Sequence, residues 1–210
     1  MYTVDFHIHS RYSFDALSSI DGLLCKAKKC GLDAIAITDH NTIRGSVEAA
    51  RRNTDPGFLV ICASEVATEF GDMIGLFLNK EITSRKCADV IEEIKGQGGV
   101  VLIPHPDLRR LPLSILKSAD LIELYSARSP AKEELRIAQI AEECSLIPVG
   151  GSDAHFVSDV GSCLNTYEEK IANMESLKAV VTRSAPDVKI LKKASFLKFC
   201  ASQLIKHIKS

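Results

Sequence analysis

The chain has 210 residues, 46% of them hydrophobic and 25% charged, a balance that supports one packed core and argues against disorder. Its 26 Lys and Arg against 27 Asp and Glu leave a net charge of −1, so bulk charge favours neither a nucleic-acid protein nor a membrane protein. Aromatics stand at 6% with no Trp, which argues against a platform for stacking bases or sugars.

In chain order, strand-like apolar runs fall at Thr3–His7, Ala34–Thr38, Leu59–Ala63, Met73–Leu78, Val100–Ile103, Leu121–Tyr125 and Ile147–Val149. Amphipathic patterns between them predict helices over Ile20–Cys30, Ile43–Asn53, Ser84–Gln97, Pro130–Cys144 and Met174–Ser184. Ser19 is placed to cap the first helix and Gly31 to end it. Such alternation predicts parallel strands with right-handed crossovers. Seven units of this length fit a compact barrel in a single domain. The opening MYTVDFHIHS lacks the basic and apolar regions of a signal peptide, and no segment approaches the ~20 apolar residues of a membrane span. Seven cysteines without a CxxC pair read as reduced, mostly buried thiols, so the expectation is a cytoplasmic protein without membrane contact.

Charge is uneven. From Arg183 onward there are seven Lys or Arg and one acid, so this stretch carries +6 and the rest −7. Ala194–Lys209 has helical apolar spacing and is expected to pack on or beside the barrel, the boundary being set at residues 1–190 and 191–210. A lid or docking helix for an anionic partner is the alternative reading of that basic helix.

Five of the six histidines sit beside acids at the ends of expected strands. His7 and His9 end the first strand, with Asp15 in the loop beyond it. Asp39-His40 ends the second, Ser64-Glu65 the third, Pro104-His105-Pro106 a later one and Ser152-Asp153-Ala154-His155 the last. Strand ends of a parallel barrel open on one face, so these groups converge. Residues i and i+2 of a strand point the same way, which lets His7 and His9, or Asp153 and His155, grip one ion. Imidazole with carboxylate suits Zn²⁺, Mn²⁺ or Fe²⁺. His207 stands apart, and Asp39 should face away from the site in a supporting role.

DFHIHSRYSFDA, AITDHNT, ASE, IPHPD and GSDAH, in this order, resemble the motifs of the PHP (polymerase and histidinol phosphatase) superfamily, over about Met1–Gly161. The resemblance implies a distorted (β/α)₇ TIM-like barrel holding two to three divalent ions, and hydrolysis of phosphate esters by a metal-activated hydroxide. It implies His7, His9, Glu65 and Asp153 at a first metal, Glu65 and His105 at a second, and Asp15, His40 and His155 at a third. One position departs from the pattern. Asp72 stands where many members carry a ligand histidine, which favours a harder ion such as Mn²⁺ or Fe²⁺ at the second metal, or a turn cap beside Gly71 in its place. Arg128, in a segment resembling one that enters the family's site, is the first choice for a phosphate contact and Arg11 the second. His155 is the candidate proton donor to the leaving oxygen when it is not committed to metal. The expected substrate is a small phosphomonoester such as a nucleotide or a histidinol-phosphate-like compound. A nuclease acting on oligonucleotide ends and a non-catalytic accessory domain are the alternatives. Oligomeric state is not legible.

Overall fold

The computed structural model describes residues 1–126, 133–192 and 196–209. Nine strands form one sheet: β1 (Tyr2–Ile8), β2 (Ala34–Ile37), β3 (Leu59–Thr68), β4 (Gly71–Leu76), β5 (Val100–Ile103), β6 (Leu121–Ser126), β7 (Ile147–Gly151), β8 (Cys163–Tyr167) and β9 (Asp187–Ile190). Their order is β7-β6-β5-β4-β3-β2-β1-β8-β9. The sheet curls until β7 meets β1, giving a nearly closed, TIM-like barrel. His9 N–H donates to Ala154 O at 2.8 Å and Ala154 N–H to His7 O at 3.2 Å across the seam. Deeper in, Asn165 of β8 replaces the missing ladder. Its Nδ2 donates to Val4 O (3.1 Å) and Gly150 O (2.8 Å), and its Oδ1 accepts from Gly150 N (2.7 Å).

The expectation of parallel strands throughout is corrected. β1–β2, β2–β3, β5–β6 and β6–β7 are parallel, but β4 runs antiparallel to both β3 and β5. The cause is local. β3 runs on past Ala63 to Thr68 and turns back at Glu69-Phe70, leaving no room for a crossover of about a dozen residues. β8 and β9, antiparallel additions beside β1, were not anticipated. The inward, buried Asn165 hides the apolar alternation of β8, and β9 is a four-residue edge strand with half its residues exposed.

Seven helices cover the described parts of the barrel: α1 (Ile20–Lys29), α2 (Arg44–Arg52), α3 (Cys87–Gly96), α4 (Leu113–Leu116), α5 (Glu134–Cys144), α6 (Met174–Val181) and α7 (Phe196–Lys209). Ser19 Oγ accepts from Gly22 N at 3.2 Å, the expected N-cap, and Gly31 takes the left-handed φ of +73° that ends α1. α3 starts at Cys87 rather than Ser84, because Thr83 and Ser84 donate their backbone N–H groups to the Glu93 carboxylate. The start expected for α5 at Pro130 lies outside the described residues. None of the described helices is long and apolar enough to cross a membrane.

The barrel interior is filled by Val4, Phe6, Ala36, Ile61, Ile74, Leu102 and their neighbours, and α6 closes the end at the strand starts with Leu177, Val180 and Val181. Each buried Val, Ile, Leu or Phe among them contributes about 1.5–3 kcal/mol. Ile8 instead joins the outer cluster under α1 and α2. A bulge between Asp5 and Ile8 makes this switch. It lets Phe6 fill the interior while His7 and His9, one and three positions on, turn toward the barrel mouth. All seven cysteines are free thiols, but only Cys87, Cys144 and Cys163 are buried, fewer than expected.

Candidate metal centre

The barrel mouth opposite α6 gathers the ionisable residues. His7, His9, His40, His105, Asp153 and His155 sit at or just beyond the ends of parallel strands. Asp72 reaches the same end from the start of β4, because β4 is antiparallel and Asp72 pairs with Ala67. Glu65 lies within β3, where its backbone bridges to His40. Two ligand-bearing turns use left-handed backbone at non-glycine residues, His105 (φ 27°) and Asp153 (φ 48°), conformations held only where the surroundings demand them.

Distances group the side chains. His7 Nε2 and His9 Nε2 are 3.1 Å apart, and both face Glu65 Oε2 (3.3 and 3.2 Å) and Asp153 Oδ1 (3.5 and 3.3 Å). The other Glu65 oxygen, Oε1, lies 3.0 Å from His105 Nε2. Asp15 Oδ2 is 3.3 Å from His40 Nε2 and 2.8 Å from His155 Nε2. Asp72 converges with His40 and Glu65. Nine residues expected as ligands are thus brought together. Arg11 is not among the residues lining this pocket; its guanidinium donates to Glu48 Oε1 at 3.1 Å. Arg128 lies outside the described residues.

The donor set fits divalent cations. Metal–nitrogen bonds of about 2.0–2.1 Å in tetrahedral geometry set donor atoms roughly 3.4 Å apart, the spacing seen around His7, His9, Glu65 and Asp153. Electrostatics agree. Burial alone would lower the His9 pKa, but bonds to Asp153 and Glu65 outweigh it and raise it to about 10. His105 is raised to about 9 against its burial by Glu65. Glu65, despite burial, is held well below the usual carboxylate range by His7 and His40. The acids thus draw positive charge to His9 and His105, where a bound cation would neutralise them. His155 differs: burial and the charge of His9 lower its pKa, favouring the neutral form that ligates. Burial and the negative charge of Glu65 raise Asp72.

Several supporting residues escaped the sequence reading. Glu123 of β6 is buried, with Oε1 2.7 Å from His7 Nδ1 and Oε2 accepting from His105 N at 2.9 Å. The available signal was a lone acid within the apolar strand Leu121-Ile122-Glu123-Leu124. Ser13 Oγ donates to Asp15 Oδ1 at 2.9 Å and lies 3.3 Å from His9 Nδ1. Asp5, which burial pushes up to about 6, accepts from the backbone N–H groups of Ser152 and Gly161 (3.2 and 3.1 Å). Asp39 points away from the pocket and accepts two bonds of 2.6 Å from Ser10, in keeping with a supporting role. A pocket of about 430 Å³ opens over the donors, walled by Phe14 and Ala67 and, from α7, by Gln203 and Lys206.

Comparison with known proteins identifies the family and the fold. Residues 5–145 match the PHP domain family and residues 133–185 the PHP-associated family. The uncharacterized protein MJ0417 of Methanocaldococcus jannaschii is 33% identical over 181 residues, which cover 79% of this chain and 70% of that protein. MJ1587 of the same organism is 42% identical over 113 residues, 49% of this chain and 66% of that protein. A two-domain protein from Bacteroides vulgatus, named as containing a predicted PHP-like metal-dependent phosphoesterase, superposes with a TM-score of 0.74 at 20% identity. That match covers 90% of this chain and 64% of the Bacteroides chain, so the fold described here spans just under two thirds of that protein, as the MJ1587 match does of its own relative. On the family match and the relatives together, the chain belongs to the PHP domain family.

Proposed function

We propose that the chain is a metal-dependent phosphoesterase acting on a small phosphomonoester. The observation that carries this reading is the sharing of Glu65: Oε2 faces His7 and His9 while Oε1 faces His105. One carboxylate serving two donor groups is what a pair of neighbouring cations requires. His7, His9, Glu65 and Asp153 would hold the first ion, Glu65, Asp72 and His105 the second, and Asp15, His40 and His155 the third. Bound there, divalent Mn, Fe or Zn ions supply Lewis acidity, lowering the pKa of a water and offsetting phosphoryl charge.

The protein's own groups do the rest. Glu123 Oε1 accepts a hydrogen bond from His7 Nδ1–H, which fixes the tautomer and aims Nε2 at the donor cluster. Ser13 steadies Asp15 in the same way. The pocket, at about 430 Å³, is near the lower end of the ~300–1,000 Å³ typical of small-ligand sites, which supports a compact substrate over a polymer. Arg11, paired with Glu48, does not line this pocket.

Phosphate release from an aryl phosphomonoester by metal-reconstituted protein tests the reading, run beside nucleoside monophosphates and short oligonucleotides. Turnover of the small esters that a chelator abolishes is expected. Cleavage of the oligonucleotides alone would favour a nuclease, and no turnover with any metal would overturn the proposal.

A further inference from the structure

We infer that α7 brings Lys206 to the pocket as the cation that binds the phosphoryl oxygens of a dianionic phosphomonoester. The inference deepens the phosphatase reading and rests on it. Lys206 is the one Lys or Arg among the described residues lining the pocket, which also presents the carboxylates of Asp15, Glu65, Asp72 and Asp153. A phosphorylated ligand entering this acidic mouth needs positive charge opposite the metal donors, and Lys206 is the lining side chain that carries it.

Its placement is built. The Lys206 ammonium stands 5.0 Å from the centroid of the Phe14 ring, and that ring stacks on His40 at 4.5 Å and 9°. The cation is therefore parked one ring away from a metal donor, on an aromatic face it can leave for a charge-assisted bond. α7 itself is tied at both ends to loops that adjoin the donors. Lys209 Nζ donates to the carbonyls of Arg11 (2.9 Å), Ser13 (2.5 Å) and Ala16 (3.0 Å), in the loop that holds Asp15. Lys198 donates to Ser158 Oγ at 2.7 Å and pairs with Asp159, in the turn that follows His155. Lys198, Lys206 and Lys209 fall at i, i+8 and i+11, so one helix face makes all these contacts. Two lysines of that face are spent on anchoring; the third overlooks the pocket.

The test uses the full chain reconstituted with Mn²⁺, comparing wild type with Lys206→Ala, Lys206→Gln and Lys206→Arg. Three quantities are read: bound metal, KM for an aryl phosphomonoester, and the Kd of inorganic phosphate by calorimetry. Lys206→Ala and Lys206→Gln should raise both KM and phosphate Kd by about 10-fold or more, the usual effect of losing a hydrogen bond from a charged donor. Metal content should stay unchanged, and Lys206→Arg should restore most of the affinity. Unchanged KM and Kd in Lys206→Ala, beside a wild type that turns over and binds phosphate, would overturn the inference and leave the phosphatase reading standing. Loss of metal together with loss of phosphate binding would also overturn it, since Lys206 would then act on the fold of the site. A metal-loaded wild type that neither turns over nor binds phosphate would overturn both.

Discussion

Glu123 Oε1 lies 2.7 Å from His7 Nδ1, with both side chains fully buried, so a carboxylate on the strand next to β7 sets which nitrogen His7 turns toward the donor cluster. The same carboxylate holds the strained His105 turn through its backbone N–H. Glu123→Gln keeps the shape and removes the charge that orients the ring. Metal affinity should fall about 10- to 100-fold, the range for losing such a partner. Competition against a chelating dye measures it, and an unchanged affinity would refute the positioning role.

Gly151 is the reason Glu123 fits. A Cβ on Gly151 would stand 2.0 Å from Glu123 Oε1 and 3.0 Å from His7 Cβ. Gly151→Ala must therefore push the carboxylate off His7, and should lower both Tm and metal affinity. A Gly151→Ala protein that binds metal as wild type does would show that the pair tolerates displacement.

Asp72 converges with His40 and Glu65. Replacing it by histidine exchanges a hard oxygen donor for a softer nitrogen, so the metal preference should move from Mn²⁺ toward Zn²⁺. Metal content after growth or dialysis in equimolar mixtures reads this directly. An identical metal ratio in Asp72→His would remove Asp72 from the ligand set.

Stripping metal should make stability depend on pH. His9 is raised to about 10 and His105 to about 9, above the ordinary imidazole value of about 6.5. Groups raised on folding stabilise fully below their unfolded pKa, and that contribution is lost as pH climbs through the folded values. The Tm of metal-free protein should therefore fall between about pH 6.5 and 10 relative to metal-loaded protein, in which cations replace those protons. Parallel Tm curves for the two forms would contradict this electrostatic account.

Most of the candidate donors were legible in the sequence because His7, His9, His40, His105, Asp153 and His155 sit at or just beyond strand ends in short polar motifs, and strand ends of such a barrel share one face. The strand directions were less legible. Asp72 reaches the site only because β4 is antiparallel, a consequence of the two-residue turn at Glu69-Phe70 that apolar periodicity does not report. Glu123 was hidden for the opposite reason: it lies inside an apolar strand, and its role depends on His7, 116 residues away. Asn165 closes the seam by side-chain bonds that no local pattern encodes. The basic stretch after Arg183 was visible as charge, but that Lys206 overlooks the pocket while Lys198 and Lys209 anchor the helix follows only from tertiary contacts.

The most direct test of the central claim is metal content and phosphate release measured on the same samples of wild type and the His7→Ala/His9→Ala double variant. Wild type should carry two to three divalent ions per chain and release phosphate from an aryl ester. The double variant should lose the ion held by His7, His9, Glu65 and Asp153 and fall to background turnover. Phosphate release by the double variant at the wild-type rate would contradict the account.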